Sequence, residues 1–310
     1  MGTPRRMISA AIMAGASLLA GCEMPVNVNA PQSATYPEAA PRSPESQALE
    51  GYYASVQRSL VTQGLLRTDG GGPDVPFSSR NLVQNFLRIA LYEEHQVSNG
   101  QLVSRQKASR LHRWEQPVQM SVSFGASIAP EQRRRDSADI ARFANRLARL
   151  TGLSITQVNT GGNYRVLILN EDERRAIGPE LRRLMPGINR ASVNAIVNMS
   201  RTTYCLVIAS DSNNDGTYGQ AVAIIRGEHP DLLRRSCIQE ELAQGLGLPN
   251  DSPAARPSIF NDDEEFGLLT DHDELLLKML YDPRLRPGMT ERQARPVVET
   301  IAAELIGGTV

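Results

Sequence analysis

Lysine is nearly missing from this chain. Lys107 and Lys278 are the only two, and arginine supplies the rest of the 33 basic residues. That skew reads as a compositional habit of the genome rather than a device. Histidine and cysteine are scarce too, at four and three residues, so any zinc site must draw on a very short list of nitrogen and sulfur ligands. Charge of one sign is also lacking: 34 acids against 33 bases leave a net charge of −1. Binding through nucleic-acid phosphates needs a basic surface excess, so nucleic acid is excluded as the main partner. No glycine loop fit to cradle phosphate occurs; Gly70-Gly71-Gly72-Pro73 reads as a linker. Internal repeats are absent. What is present is 310 residues with 41% hydrophobic content, enough for the core of one large or two small domains.

The amino terminus is read as a targeting segment. Arg5 and Arg6 precede an apolar run from Met7 to Ala20 that is too short to span a bilayer. The run closes on Leu19-Ala20-Gly21-Cys22, a small-residue cleavage site with cysteine directly after it, and resembles a bacterial lipobox. The resemblance implies a lipoprotein signal peptide over residues 1–21, with Cys22 lipidated as the first mature residue. The protein is then extracytoplasmic and held to a membrane by lipid. The competing reading is an ordinary secretory signal with an incidental cysteine. Glu23 is not the aspartate of inner-membrane retention, which favours the outer membrane, facing the periplasm. Loss of Arg5 and Arg6 leaves 31 bases against 34 acids, a net charge of −3. Cys205 and Cys237 then remain as a pair in an oxidising compartment, where a disulfide is the default.

Residues 22–48 are rich in Pro, Ala, Ser and Asn without apolar periodicity and read as a disordered tether. Order is expected from Leu49, giving a single domain over 49–310. Helical spacing predicts helices over 49–67, 79–94, 137–150, 179–185, 230–246 and 271–281. Alternating or apolar runs predict strands over 117–124, 154–158, 164–169, 204–209 and 220–226. The connections near 158–164 and 209–220 are too short for parallel crossovers, which argues for a mixed sheet in an α+β domain.

The most informative segment runs from Cys237 to Asp251, CIQEELAQGLGLPND. On a helix Glu240 and Gln244 share a face with Glu241 beside them. Gly247 permits a sharp turn, after which Asn250 and Asp251 can fold back toward the same point. The layout resembles the metzincin zinc-peptidase motif HExxHxxGxxH. Glu240 then takes the first histidine, Glu241 the catalytic glutamate, Gln244 the second histidine, Gly247 the glycine and Asn250 the third ligand. Ser258-Ile259-Phe260 resembles a Met-turn without its methionine, and the helix over 271–281 the last metzincin helix. The same run, with Ser258–Asp262, the Asp273–Leu277 stretch and Met279–Met289, closely resembles the domain of unknown function 2927 family of proteobacterial lipoproteins, over roughly residues 60–290. The fold these resemblances imply is a zincin-like mixed sheet with an active-site-type helix and a C-terminal helix.

The departures decide the chemistry. A catalytic zinc needs about three protein ligands and a water it can acidify. No histidine stands at any of the three ligand positions, and an amide oxygen binds zinc poorly, so no zinc or other cofactor is expected. Glu241 survives as a would-be general base without a metal-bound water. Three explanations stay open for Glu240, Glu241 and Gln244: an inherited polar cluster bonded to the Asn250-Asp251 loop; a peptide-binding cleft, with Phe260 at its rim, that kept its shape and lost its chemistry; or working chemistry by adjacent carboxylates. The leading expectation is a non-catalytic protein that binds a peptide, protein or envelope component. An active hydrolase using Glu241 is the runner-up, and a purely structural envelope lipoprotein the third.

Weaker signals have plainer readings. Asp211–Gly216 matches the first half of a calcium loop, but Val222 stands where the closing glutamate belongs, so a polar loop between strands is expected. The acidic run Asp262–Glu265 reads as a solvated loop near the cleft rim. Arg133-Arg134-Arg135 reads as a solvated turn, His272 as part of a helix's first turn, and Trp114 as the anchor of a strand. His95, His112 and His229 are assigned no role.

Overall fold

The computed structural model describes residues 39–98, 101–261 and 263–307, with backbone alone over 95–98 and 101–105. The signal segment, Cys22 and most of the tether lie outside the described residues. The described chain opens with α1 (Pro44–Thr62), which begins before Leu49. Ser43 caps it by accepting from the Ser46 N–H at 3.1 Å, and Pro44 occupies the first turn, where no amide hydrogen is needed. Apolar spacing alone misses this start, because the signal lies in the cap. α2 (Ser79–Ala90) ends four residues earlier than expected, and the chain turns into a hairpin of β1 (Tyr92–Ser98) and β2 (Gln101–Ala108).

The central sheet is built from β3 (Val118–Phe124), β4 (Ile155–Gln157), β5 (Tyr164–Leu169), β6 (Cys205–Ser210) and β7 (Gln220–Arg226). Between and after them come α3 (Pro130–Thr151), α4 (Glu171–Ala176), α5 (Gly178–Leu184), α6 (Arg190–Val197), α7 (Asp231–Gln244), α8 (Asp271–Leu280) and α9 (Glu291–Gly307). The strand order is β4-β3-β5-β7-β6, parallel except for β6, which runs antiparallel to β7 at the edge. The fold is therefore mixed α+β.

The short 209–220 connection joins an antiparallel pair, as its length requires. The 158–163 connection does not follow that argument: β4 and β5 are both parallel to β3, on opposite sides of it. β4 covers the first half of β3 and β5 the second, and Gln157 and Tyr164 both pair with Met120. The chain thus only steps across β3 at one level and never returns to the start of the sheet. Gly162 makes the step possible, since a Cβ there would lie 2.3 Å from the Gln119 carbonyl oxygen.

Helices cover both faces. Val118, Met120, Val166, Ile168, Ala223 and Ile225 join a large core with α2, α3, α7, α8 and α9. Leu167, Leu169, Val222 and Ile224 pack on the other face against Leu181 of α5, Met185 just after it and Ile196 of α6. Burial on both sides explains why β7 reads as a nearly unbroken apolar run. Arg133, expected in a solvated turn, sits in the first turn of α3. It is buried, and its guanidinium donates to the carbonyls of Ile128, Gly125 and Ala126. Pro130 starts the helix there, seven residues ahead of the Ser137 start that its apolar stripe suggests.

Candidate functional site

α7 carries Glu240, Glu241 and Gln244 beneath the edge strand β6. Its C-terminal end is fixed by three aromatic residues: Tyr164 Oη donates to the Glu241 carbonyl at 2.7 Å, Trp114 Nε1 to that of Gly245 at 2.9 Å, and Tyr281 Oη to that of Leu246 at 2.8 Å. Trp114 is buried and anchors this helix end rather than offering a surface for recognition. Gly247 then turns the chain at φ 127°, with no room for a side chain, because a Cβ would stand 2.2 Å from the His112 carbonyl oxygen. The sharp turn read from the sequence is present.

The turn brings back Asp251 but not Asn250. Gln244 Nε2 donates to Asp251 Oδ1 at 3.0 Å. Asn250 is fully buried on another side, where its Nδ2 donates to the Arg88 carbonyl at 2.9 Å. Phe260 is also fully buried and belongs to the main core, so it forms no part of a cleft rim. Its loop is held from below: Ser258 Oγ donates to Asp273 Oδ1 at 2.6 Å and the Ile259 N–H to Asp273 Oδ2 at 2.9 Å. His272 lies beside that aspartate in the first turn of α8, as expected, with Nε2 3.0 Å from Asn85 Nδ2.

Glu240, Glu241, Gln244 and Asp251 line a cleft of about 890 Å³. β6 forms one wall from Cys205 to Ala209, and the hairpin contributes Glu93, Glu94 and Lys107. The Glu241 carboxylate accepts the backbone N–H of Val207, so the helix glutamate reaches the edge of β6. Its Oε2 is buried with no hydrogen-bond partner among the described residues. Burial, then the neighbouring Asp251 charge, pushes the Glu240 and Glu241 carboxyls well above the usual carboxylate range. Cys205 and Cys237 form a disulfide with Cα atoms 5.8 Å apart, tying β6 to α7 beneath the cleft.

Several lining residues carried no signal in the sequence. The hairpin is mostly polar, with Val97, Leu102 and Val103 gathered near its turn, and β6 discloses its edge position only through topology. His112, given no role, stacks on Tyr218 at 5.3 Å between centroids and lies 3.5 Å from Asp211. Asp211 accepts the N–H groups of Asn213, Asp215 and Gly216, which makes its loop the self-bonded strand connection expected. Glu264 reaches the cleft, whereas Glu265 pairs with Arg256 and Arg67.

The zinc implied by the metzincin pattern does not fit this donor set. One of its three positions points elsewhere, and another is an amide already bonded to Asp251. Residues 79–300 match the model of the family described as "Protein of unknown function (DUF2927)". The chain belongs to that family. No curated protein matches it. The DUF2927 match takes in all the cleft residues named above, from Glu93 to Glu264, and starts at α2, leaving α1 outside.

Proposed function

We propose that this DUF2927 protein is a lipid-anchored envelope protein whose degenerate, zincin-like cleft binds an extended peptide without cleaving it. One observation carries the reading: β6 is an edge strand that walls the cleft and has no strand beside it on its outer side among the described residues, so the main-chain groups there other than the Val207 N–H can pair with a peptide strand. Glu240 and Glu241 face the same space, and a basic side chain entering it can pair with either carboxyl once that group gives up its proton, which favours a basic peptide. The lack of a zinc ligand set at the metzincin positions supports binding over hydrolysis. The lipobox supports the anchor and the periplasmic side of the outer membrane.

Fluorescence anisotropy with labelled extended peptides, basic and acidic, tests the reading on purified protein lacking residues 1–22. Basic peptides should bind, and Ala209→Pro should weaken them by removing a strand-edge donor on the same side of β6 as the Val207 N–H, which Glu241 already occupies. Equal binding of both peptide classes, or none, would refute it. A second reading, hydrolysis with Glu241 as acid or base, rests on that carboxyl's raised proton affinity. Cleavage of the bound peptides that is lost in Glu241→Gln would establish it instead.

A further inference from the structure

At the base of the cleft, below the carboxylates, lies a second group of donors. Cys205 Sγ, Cys237 Sγ and a Glu240 carboxylate oxygen all lie within 4.8 Å of one another. Cys205 Sγ stands 3.9 Å from Glu240 Oε2. Three such donors around one tetrahedral ion sit about 3.4–3.8 Å apart, from bonds of about 2.3 Å to sulfur and 2.0–2.2 Å to oxygen. Only the sulfur pair is closer than that, because it is bonded. His229 lies behind Cys237, with Nδ1 3.7 Å from the sulfur, and is enclosed by Tyr53 and Tyr204. Its Nδ1 faces the sulfur, so the tautomer carrying hydrogen on Nδ1 can donate to it.

We propose that Cys205, Cys237 and Glu240 form a three-ligand site for a thiophilic divalent cation of the zinc class once their disulfide is reduced. The fourth coordination position opens to the cleft, which Cys205 and Glu240 both line. The site shares Glu240 with the metzincin-like positions and uses neither Gln244 nor Asn250. The exchange balances with a dithiol as reductant. The dithiol gives up two electrons and two protons and becomes a disulfide, while Cys205 and Cys237 become thiols. The cation then displaces one proton from each thiol and the proton held by Glu240, three in all released to solvent, and binds two thiolates and the Glu240 carboxylate. His229 acts on the ion only through Cys237: it is a positioning residue, by an N–H···S bond to the thiolate. Disulfide and metal are therefore mutually exclusive states of one pair of sulfurs, and both tie β6 to α7.

Cobalt(II) serves as the probe, because thiolate ligation gives an intense ultraviolet charge-transfer band and tetrahedral geometry gives strong visible bands. Protein reduced by a dithiol, freed of reductant and kept anaerobic should bind one equivalent with both features, and the oxidised protein none. Glu240→Gln should weaken cobalt at least about tenfold while the thiolate band remains. His229→Phe should shift the band and weaken binding less. Bound zinc should also slow re-formation of the disulfide on exposure to air, read by thiol alkylation. Circular dichroism follows the fold in each sample. The inference is overturned if reduced protein gives no thiolate band, if Glu240→Gln binds as tightly as wild type, or if the reduced chain unfolds and zinc does not restore it.

Discussion

Glu241→Gln perturbs the cleft at its most constrained point. The amide oxygen can still accept the Val207 N–H, and shape is conserved, so the change removes only the ionisable proton site. In the folded protein burial and Asp251 raise the proton affinity of both Glu240 and Glu241. An unfolded glutamate titrates near pH ~4.3. Above that value the native carboxyl still holds its proton while the unfolded one has lost it, so the native state binds more protons and stability falls as pH rises. The stabilisation is complete below the unfolded value and is lost progressively as pH climbs through the native one. While one group is in this window, stability drops by about 1.4 kcal/mol per pH unit. Asp136 and Glu228 are also raised by burial, but they are present in both proteins and cancel in the difference. Removing Glu241 also takes one negative neighbour from Glu240, which acts in the same direction. Urea unfolding followed upward from about pH 4.5 should show wild-type stability falling more steeply with pH than the variant's, by up to about 1.4 kcal/mol per unit while Glu241 keeps its proton only in the native state. Parallel curves would show that Glu241 ionises as it does in the unfolded chain, and the account of its burial would be wrong.

Other outcomes follow from the same structure. Replacing both Cys205 and Cys237 by serine opens a crosslink between residues 32 apart, which chain entropy values at about 3–4 kcal/mol; chemical denaturation reads the loss, and an unchanged midpoint would contradict it. Phe260→Ala should cost about 3–5 kcal/mol as a core deletion yet leave peptide affinity of the remaining folded protein unchanged, which separates its place in the core from a place at the rim. Gly247→Ala forces a Cβ against the His112 carbonyl in a left-handed turn and should destabilise by at least about 1–3 kcal/mol, measured by thermal melting.

The sequence discloses the helix, its turn and the cysteine pair, because each has a local cause. Glu240, Glu241 and Gln244 share a face by helical spacing, Gly247 is required by φ, and two cysteines in one domain have few alternatives. Where the reading fell short, the cause is non-local. Spacing after a glycine turn does not say which of two adjacent side chains faces inward, and here it is Asp251 rather than Asn250. The β1–β2 hairpin has too few apolar residues to alternate along its length, and α9 carries Pro296 within its length, which breaks the usual helical signature. Phe260 looks like a rim residue only if its loop is viewed as a Met-turn; in place, Asp273 draws that loop inward. The edge position of β6, on which the functional reading rests, depends on strand order and leaves no mark in β6 itself.

Amide hydrogen exchange of Cys205–Ser210 with and without a saturating basic peptide measures the central claim. Uptake of a peptide strand on the β6 edge predicts slower exchange at the amides that face the cleft, with no peptide cleavage after long incubation. Unchanged exchange across β6 with protection elsewhere would contradict it.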